Sequence, residues 1–234
     1  MCGARVSGIL RQMDGGGSDE DLVWYVSYGS NLDRDRLICY LEGGTARDAH
    51  KANVGARDPR PPRADRPFVL GHELFFADVS HVWTGGVAFV DHHPDPSVRT
   101  LARAFLLTAD QLCDVVAQES ARPLGSIQLT DHVEALDRDG RAVVGPGRYD
   151  TLLDCGELEG RRCVTFTGRS ALADTEIVPP AGVYLSMVAD GLRAAHRLDD
   201  RAIVEYLRDR PGVVPTWSDD ALAAAIRPDS PSVP

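Results

Sequence analysis

Residues 23–32 read Val-Trp-Tyr-Val-Ser-Tyr-Gly-Ser-Asn-Leu, and this stretch decides the fold. Its β-branched and aromatic first half predicts a buried strand, and the small residues at 29–31 end that strand. A helix is expected next, so a strand, a glycine turn and a helix start follow one another directly. This arrangement leaves several backbone N–H groups unpaired. Such a turn can bind an anion or an oxyanion, and the alternative interpretation is a tight turn that only begins a helix.

The expected helix after this turn is the first of several helices that are interspersed with strands. Leu37, Ile38 and Leu41 share one face, Asn31 or Asp33 can cap the start, and two glycines follow the last turn. Thr108 and the glutamine three residues later predict a capping box at the start of a second helix. Strands are expected near residues 69–77, 86–91 and 101–107, a hairpin at 149–155 and 162–167, and helices after residue 180 to about 196 and from 200 to 208. The pattern predicts an α+β domain.

The chain divides into a central domain and two tails. Residues 1–21 are expected to form a flexible N-terminal tail, residues 22–210 the domain, and residues 211–234 a C-terminal tail. Within the domain, about residues 48–67 are rich in Arg, Pro and Asp and predict a surface insert. Its arginines form either a solvated loop or the rim of a pocket: Arg57, Arg60, Arg63 and Arg66.

Composition excludes several classes of function. The 234 residues include 25 Lys and Arg against 35 Asp and Glu, and a formal net charge of -10 argues against a nucleic-acid partner. No window has the roughly 18 to 20 apolar residues of a membrane span, and residues 1–22 lack a secretory signal pattern, so a cytoplasmic protein is expected. The five cysteines are scattered without a Cys-x-x-Cys pair, which indicates neither a disulfide framework nor a zinc site. The oligomeric state is left open.

Glu119 is the candidate acid or base of the sequence. Leu112, Val115 and Val116 precede it by seven, four and three residues, so its carboxylate lies on their apolar helix face. Desolvation of a carboxylate favours its protonated form, which suits proton transfer near neutral pH. The alternative is a glutamate at a fraying helix end that pairs with Arg122 or reaches solvent.

Other catalytic constellations are not supported. Asp91-His92-His93-Pro94-Asp95 contains metal-binding side chain types, but neighbouring residues of a strand point to opposite faces. The sequence has no Gly-x-Ser-x-Gly elbow, no Gly-x-Gly-x-x-Gly loop and no Walker motif. We therefore expect no metal and no cofactor.

Four segments together resemble the γ-glutamylcyclotransferase-like proteins. The loop after the first strand is similar to the signature loop of this family and is the most specific of the four. The segments, in the order of the family, are Tyr28-Gly29-Ser30-Asn31-Leu32, the corner Trp83-Thr84-Gly85-Gly86, Glu119 at the position of the catalytic glutamate, and the late helix with Tyr184, Gly191 and His196.

This resemblance implies a fold, a reaction and a set of site residues. The fold would be a mixed, strongly curved β-sheet that closes toward a barrel, with helices around it. The reaction would be the cofactor-free cleavage of a small γ-glutamyl compound to 5-oxoproline and a free amine. Glu119 would be the general acid/base, the loop residues Tyr28, Gly29, Ser30, Asn31 and Leu32 would hold the substrate, and Tyr184 would line its pocket.

Two other functions are compatible with the same residues. The fold could be a noncatalytic module that binds a ligand, or a protein through the arginine-rich insert. It could also be an acyltransferase or amide hydrolase that acts on a specialised γ-glutamyl metabolite.

Overall fold

A computed structural model describes residues 21–47, 52–80 and 83–227 of the chain. The expected N-terminal tail, apart from its last residue, and residues 48–51 at the start of the insert lie outside these ranges. The strands are β1 (Leu22–Ser27), β2 (Asp65–Leu70), β3 (His72–Ser80), β4 (Gly85–Pro94), β5 (Thr100–Thr108), β6 (Arg141–Val143), β7 (Thr151–Leu158) and β8 (Arg161–Thr167). The α-helices are α1 (Arg34–Glu42), α2 (Ala109–Glu119), α3 (Val133–Asp139), α4 (Gly182–His196), α5 (Asp200–Leu207) and α6 (Asp219–Ala225).

The fold is a mixed α+β fold built on a six-stranded sheet with the order β2-β5-β1-β8-β7-β6. β1 lies at its centre, antiparallel to β5 and parallel to β8, where Tyr25 is opposite Val164. Every residue of β1 is buried, as its continuous run of apolar residues predicts for a central strand. The loop that follows β1 therefore begins at the end of a buried central strand.

The expected closure toward a barrel is wrong for the described residues. β3 and β4 pair with each other in a separate two-stranded sheet, so they do not join the edge strands β2 and β6. β6 has three residues and pairs with β7 alone. The six-stranded sheet is consequently open.

The β3–β4 hairpin packs across the large sheet through polar contacts. The Tyr149 hydroxyl donates to the Ala88 carbonyl at 3.1 Å, and the Thr167 hydroxyl donates to the Val90 carbonyl at 2.7 Å. These contacts fix β4 beside the end of β8. The hairpin thereby becomes one wall of a cleft whose opposite wall is the loop after β1.

Local signals place the two helices that flank this cleft. Asp33 caps α1 by accepting from the amide of Asp35, and Gly43 follows its last residue. The predicted capping box of α2 is confirmed, because the Thr108 hydroxyl accepts from the Gln111 amide and the Gln111 side chain accepts from the Thr108 amide. The capping box thus fixes the first turn of α2, and the helix ends at Glu119.

The insert is held against α2. The Gln111 side chain donates to the carbonyls of Asp58 and Arg60, and the Arg57 amide and guanidinium both donate to the buried Asp114. Arg66 pairs with Glu159 on the β7–β8 turn. Residues 65–67, expected as the end of the insert, form the first half of β2.

The domain continues beyond the boundary expected at residue 210. α6 lies in the segment predicted as a C-terminal tail, and its Leu222 and the following Ile226 are fully buried. The Trp217 indole donates to the Pro180 carbonyl at 3.2 Å, which joins this segment to the start of α4. An apolar side of one short helix was too weak a periodic signal to indicate this packing. None of the described helices is both long enough and apolar enough to cross a bilayer.

Candidate active site

The loop after β1 makes a single turn of 3-10 helix at Ser30–Leu32. The turn is closed by hydrogen bonds from the Leu32 amide to the Gly29 carbonyl at 3.0 Å and from the Asp33 amide to the Ser30 carbonyl at 3.2 Å. Among the described residues, the amides of Gly29 and Asn31 donate to no backbone carbonyl. These amides are the free donors expected at the start of a helical turn.

Gly29 lies against the hydroxyl of Tyr184 from α4. A methyl group at Gly29 would be 3.0 Å from the Tyr184 Oη atom and 3.1 Å from the Cβ atom of Ala88. The same hydroxyl accepts from the Ala88 amide at 3.1 Å. Burial raises the pKa of Tyr184, and the nearby Glu119 carboxylate raises it further, so the phenol is neutral in this site. A glycine is needed here because three chain segments meet at one hydroxyl.

Glu119 reaches this loop from the last turn of α2. The Asn31 side chain amide donates to the Glu119 Oε1 atom at 3.3 Å and to the Tyr25 hydroxyl at 3.2 Å. The Glu119 side chain is half-buried and faces a cavity. The structure thus brings the predicted acid/base to the predicted loop, although 88 residues separate Asn31 from Glu119.

The cavity has a narrow inner recess and a wide outer cleft. The recess, about 20 Å³, has room for about one water molecule or one oxygen atom. The outer cleft measures about 540 Å³, enough for a small molecule. The side chains that border both spaces are Ser30, Glu119, Tyr149 and Tyr184. Glu119 therefore lies at the junction of the two.

Four tyrosines surround the recess. The Tyr28 hydroxyl donates to the Phe166 carbonyl at 2.7 Å, and Tyr149 donates to Ala88 as described above. Burial is the main cause that raises the pKa values of Tyr25, Tyr28 and Tyr149. The recess is consequently lined by neutral hydroxyls and aromatic rings, with Glu119 as its ionisable carboxylate.

The outer cleft holds a second group of polar and aromatic side chains. The Arg36 guanidinium lies 4.9 Å from the ring centroid of Tyr40 and 5.3 Å from that of Trp83, and its Nη2 atom donates to the Tyr40 hydroxyl at 2.7 Å. Burial raises the pKa of Tyr40, and the nearby Glu119 carboxylate raises it further. Sequence reasoning missed Arg36 and Tyr40, although their separation of four residues places them on one side of α1.

The predicted binding residues do not all face the cavity. Tyr28, Gly29, Ser30, Asn31 and Tyr184 line it. Leu32 does not, because its side chain is fully buried beneath α4.

Gly191 explains the position of Leu32. A Cβ atom on Gly191 would be 2.3 Å from the Cβ atom of Leu32, so α4 can lie on the 3-10 turn only because residue 191 is a glycine. Two histidines considered for the site or for a metal are structural: His196 contacts the Ala102 carbonyl, and His92 contacts the Gly168 carbonyl. Within the described ranges, no three His, Cys, Asp or Glu side chains are grouped as a metal site requires.

Comparisons with known proteins connect the chain to two kinds of protein. No family model matches it. Histone deacetylase 5 of Arabidopsis thaliana is 29% identical over 198 residues, which cover 79% of this chain and 30% of that protein. The chain thus corresponds to less than a third of the length of this plant relative.

Two solved structures are similar in fold. One is a gamma-glutamyl cyclotransferase, with a TM-score of 0.44 and 15% identity over 84% of this chain and 92% of that chain. The other is the uncharacterized protein loc79017 from Homo sapiens, with a TM-score of 0.44 and 16% identity over 81% of this chain and 88% of that chain.

Proposed function

We propose that this chain is a cyclotransferase that cleaves a small γ-glutamyl compound into 5-oxoproline and a free amine. The observation that best supports this function is the contact between Glu119 and the loop after β1. A group that can carry a proton and a turn with free amide donors face the same cavity. Both are needed to form and break a tetrahedral intermediate.

The proposed reaction uses groups of the substrate itself for bond formation. The α-amine of the glutamyl group attacks the γ-carbonyl carbon, which forms the lactam C–N bond, and the amide bond to the leaving amine then breaks. The Glu119 carboxylate accepts a proton from the attacking nitrogen and returns it to the leaving nitrogen, so no water is consumed. Because the attack is intramolecular, holding the substrate in a folded conformation supplies much of the rate enhancement.

The inner recess suits the oxygen that becomes negative in this reaction. Its size is that of one oxygen atom, and the loop with the free amides of Gly29 and Asn31 lies beside it. Preorganised donors at such a position lower the barrier by about 3 to 4 kcal/mol each. The remainder of the substrate would occupy the outer cleft.

The first experiment is a product analysis of the purified protein. We would incubate it with γ-glutamyl amino acids, γ-glutamyl peptides and γ-glutamyl amines and follow 5-oxoproline by mass spectrometry. We expect release by the parent protein and a decrease in kcat of about 10²- to 10⁴-fold in Glu119→Gln. Glu134→Gln is the matched control, because the side chain of Glu134 is 93% exposed and lies away from the cavity.

The same measurement separates the alternative functions. Amide hydrolysis would release glutamate in place of the lactam. A noncatalytic module would bind members of the panel in calorimetry without forming either product. Equal turnover by the parent and Glu119→Gln would contradict the role given to this carboxylate.

A further inference from the structure

Arg36 is a buried cation without a carboxylate partner. It is 8% exposed, its Nε atom has no hydrogen-bond partner, and no ion pair joins it to an acidic side chain in the described part of the chain. Buried guanidinium groups are normally paired with an anion, because removing the charge from water is costly. Arg36 lines the outer cleft, so a bound ligand can supply the missing anion.

The surroundings of Arg36 are built to orient it. The rings of Tyr40 and Trp83 lie within 5.3 Å of the guanidinium carbon, and the Tyr40 hydroxyl accepts from Nη2. Stacking and this hydrogen bond hold the planar group in place while they leave Nε unused. Arg148, the other arginine of the cleft, pairs with Asp78 at 2.6 Å. Its charge is therefore already compensated.

Other polar atoms in the cleft also lack partners. They are the Asn53 Nδ2 atom and the Gln118 Oε1 atom, both buried at the edge of the outer cleft. One is a donor and the other is an acceptor. Together with Arg36 they indicate a polar ligand that carries a negative charge.

Tyr40 relates Arg36 to the catalytic carboxylate. Its hydroxyl accepts from Arg36 at 2.7 Å, and Arg36, Tyr40 and Glu119 all line the outer cleft. An α-amino acid places an amine and a carboxylate on one carbon atom. An amine near Glu119 would thus have its neighbouring carboxylate within reach of Arg36.

We propose that Arg36 binds the α-carboxylate of the glutamyl group and thereby places the α-amine beside Glu119. This inference rests on the proposed cyclotransferase function and adds a binding residue to it. Arg36 makes the free α-carboxylate a requirement of the substrate. The amine part of the substrate does not contact Arg36.

Three substrates and three variants test the assignment. γ-Glutamylalanine has both carboxylates, γ-glutamylethylamide lacks only the carboxylate of the amine part, and 4-aminobutyrylalanine lacks only the α-carboxylate. Arg36→Gln removes the charge, and Arg36→Lys keeps a charge without the planar fork. Arg66→Gln is the matched control, because Arg66 also lies over an aromatic ring, that of Trp24, but away from the cavity.

We expect Arg36→Gln to lower kcat/KM for both γ-glutamyl substrates on the order of 100-fold, mainly through KM. Turnover of 4-aminobutyrylalanine, expected to be slow in the parent, should fall far less, because this substrate has no carboxylate for Arg36 to bind, and thermal unfolding shows that the variant is folded. Arg36→Lys is expected to recover part of the loss. An effect confined to γ-glutamylalanine would overturn the proposal, because Arg36 would then bind the amine part.

A failure of the cyclotransferase function itself gives a different result. In that case no substrate yields a lactam with the parent protein, and the same three compounds are measured by calorimetry. The carboxylate site alone would be supported if the parent binds 4-aminobutyrylalanine more weakly than the other two compounds and if Arg36→Gln abolishes this difference in affinity. Equal binding of all three, or no binding, would overturn it.

Discussion

At the scale of single residues, the site depends on how closely Gly29 approaches Tyr184. Gly29→Ala adds one methyl group at 3.0 Å from the Tyr184 Oη atom, so this hydroxyl, which accepts from the Ala88 amide, must shift by a few tenths of an ångström. We expect the substitution to lower the free energy of unfolding by about 1 to 3 kcal/mol. We also expect kcat/KM for 5-oxoproline release to fall by at least 10-fold, since the loop amides move with the backbone. Chemical denaturation and steady-state kinetics measure the two effects.

A second substitution distinguishes a steric effect from a general loss of structure. Tyr184→Phe removes the atom with which the new methyl group collides. The double variant Gly29→Ala/Tyr184→Phe is therefore expected to be more stable than the sum of the two single changes predicts, by about 0.5 kcal/mol or more. Strict additivity would show that the Gly29 methyl group acts through some other contact.

Single residues also show what the sequence can and cannot indicate about a site. Glu119 and the loop were predictable as candidates, because an acidic residue on an apolar helix face and a glycine turn after a strand are local patterns. Arg36 was not, because its importance comes from a missing partner and from rings contributed by Tyr40 and Trp83. Leu32 was placed in the site by its position in the motif, yet its side chain belongs to the core.

At the scale of elements, α2 joins Glu119, the proposed acid/base, to the insert. Its capping box lies at one end and Glu119 at the other, so a change at the cap is expected to affect stability more than chemistry. Thr108→Ala should lower the free energy of unfolding by about 1 kcal/mol. Gln111→Ala should cost more, because it also leaves the carbonyls of Asp58 and Arg60 without their donor.

Thermal unfolding and kinetics test whether changes at the cap of α2 affect stability and leave kcat nearly unchanged. Both variants are expected to keep kcat within a factor of about two to three, since Glu119 lies three turns of helix from the cap. Ser218→Ala, which removes the cap of α6, is the matched control for a cap far from the insert. Equal destabilisation by Thr108→Ala and Gln111→Ala would contradict a role of Gln111 in holding the insert.

Elements were predictable where their signals are local. The caps of α1 and α2 and the β7–β8 hairpin follow from a few neighbouring residues each. α3 and β6 were not predicted, because each has one buried side chain, Leu136 and Ala142, and one such residue per element gives no periodicity. Closure of the sheet was also beyond local signals, since it depends on which strands pair across the whole chain.

At the scale of the whole molecule, the segment after residue 210 completes the core around α4. Leu222 and Ile226 are fully buried there, and the Arg193 guanidinium donates to the Ile226 carbonyl at 2.6 Å. This packing lies on the helix that carries Tyr184, so the C-terminal segment supports one wall of the cavity from behind. A domain that ended at residue 210 would lack this packing against α4.

Shortening the chain tests whether the segment after residue 210 stabilises the domain. A protein that ends at residue 210 is expected to unfold at a melting temperature at least about 10 °C lower, because it loses several kcal/mol of apolar burial. Leu222→Ala, expected to cost about 2 to 5 kcal/mol, gives the same information without truncation, and the exposed Ala221→Ser is its control. Unchanged melting of both the shorter protein and Leu222→Ala would mean that α6 is dispensable and that the domain ends where the sequence first indicated.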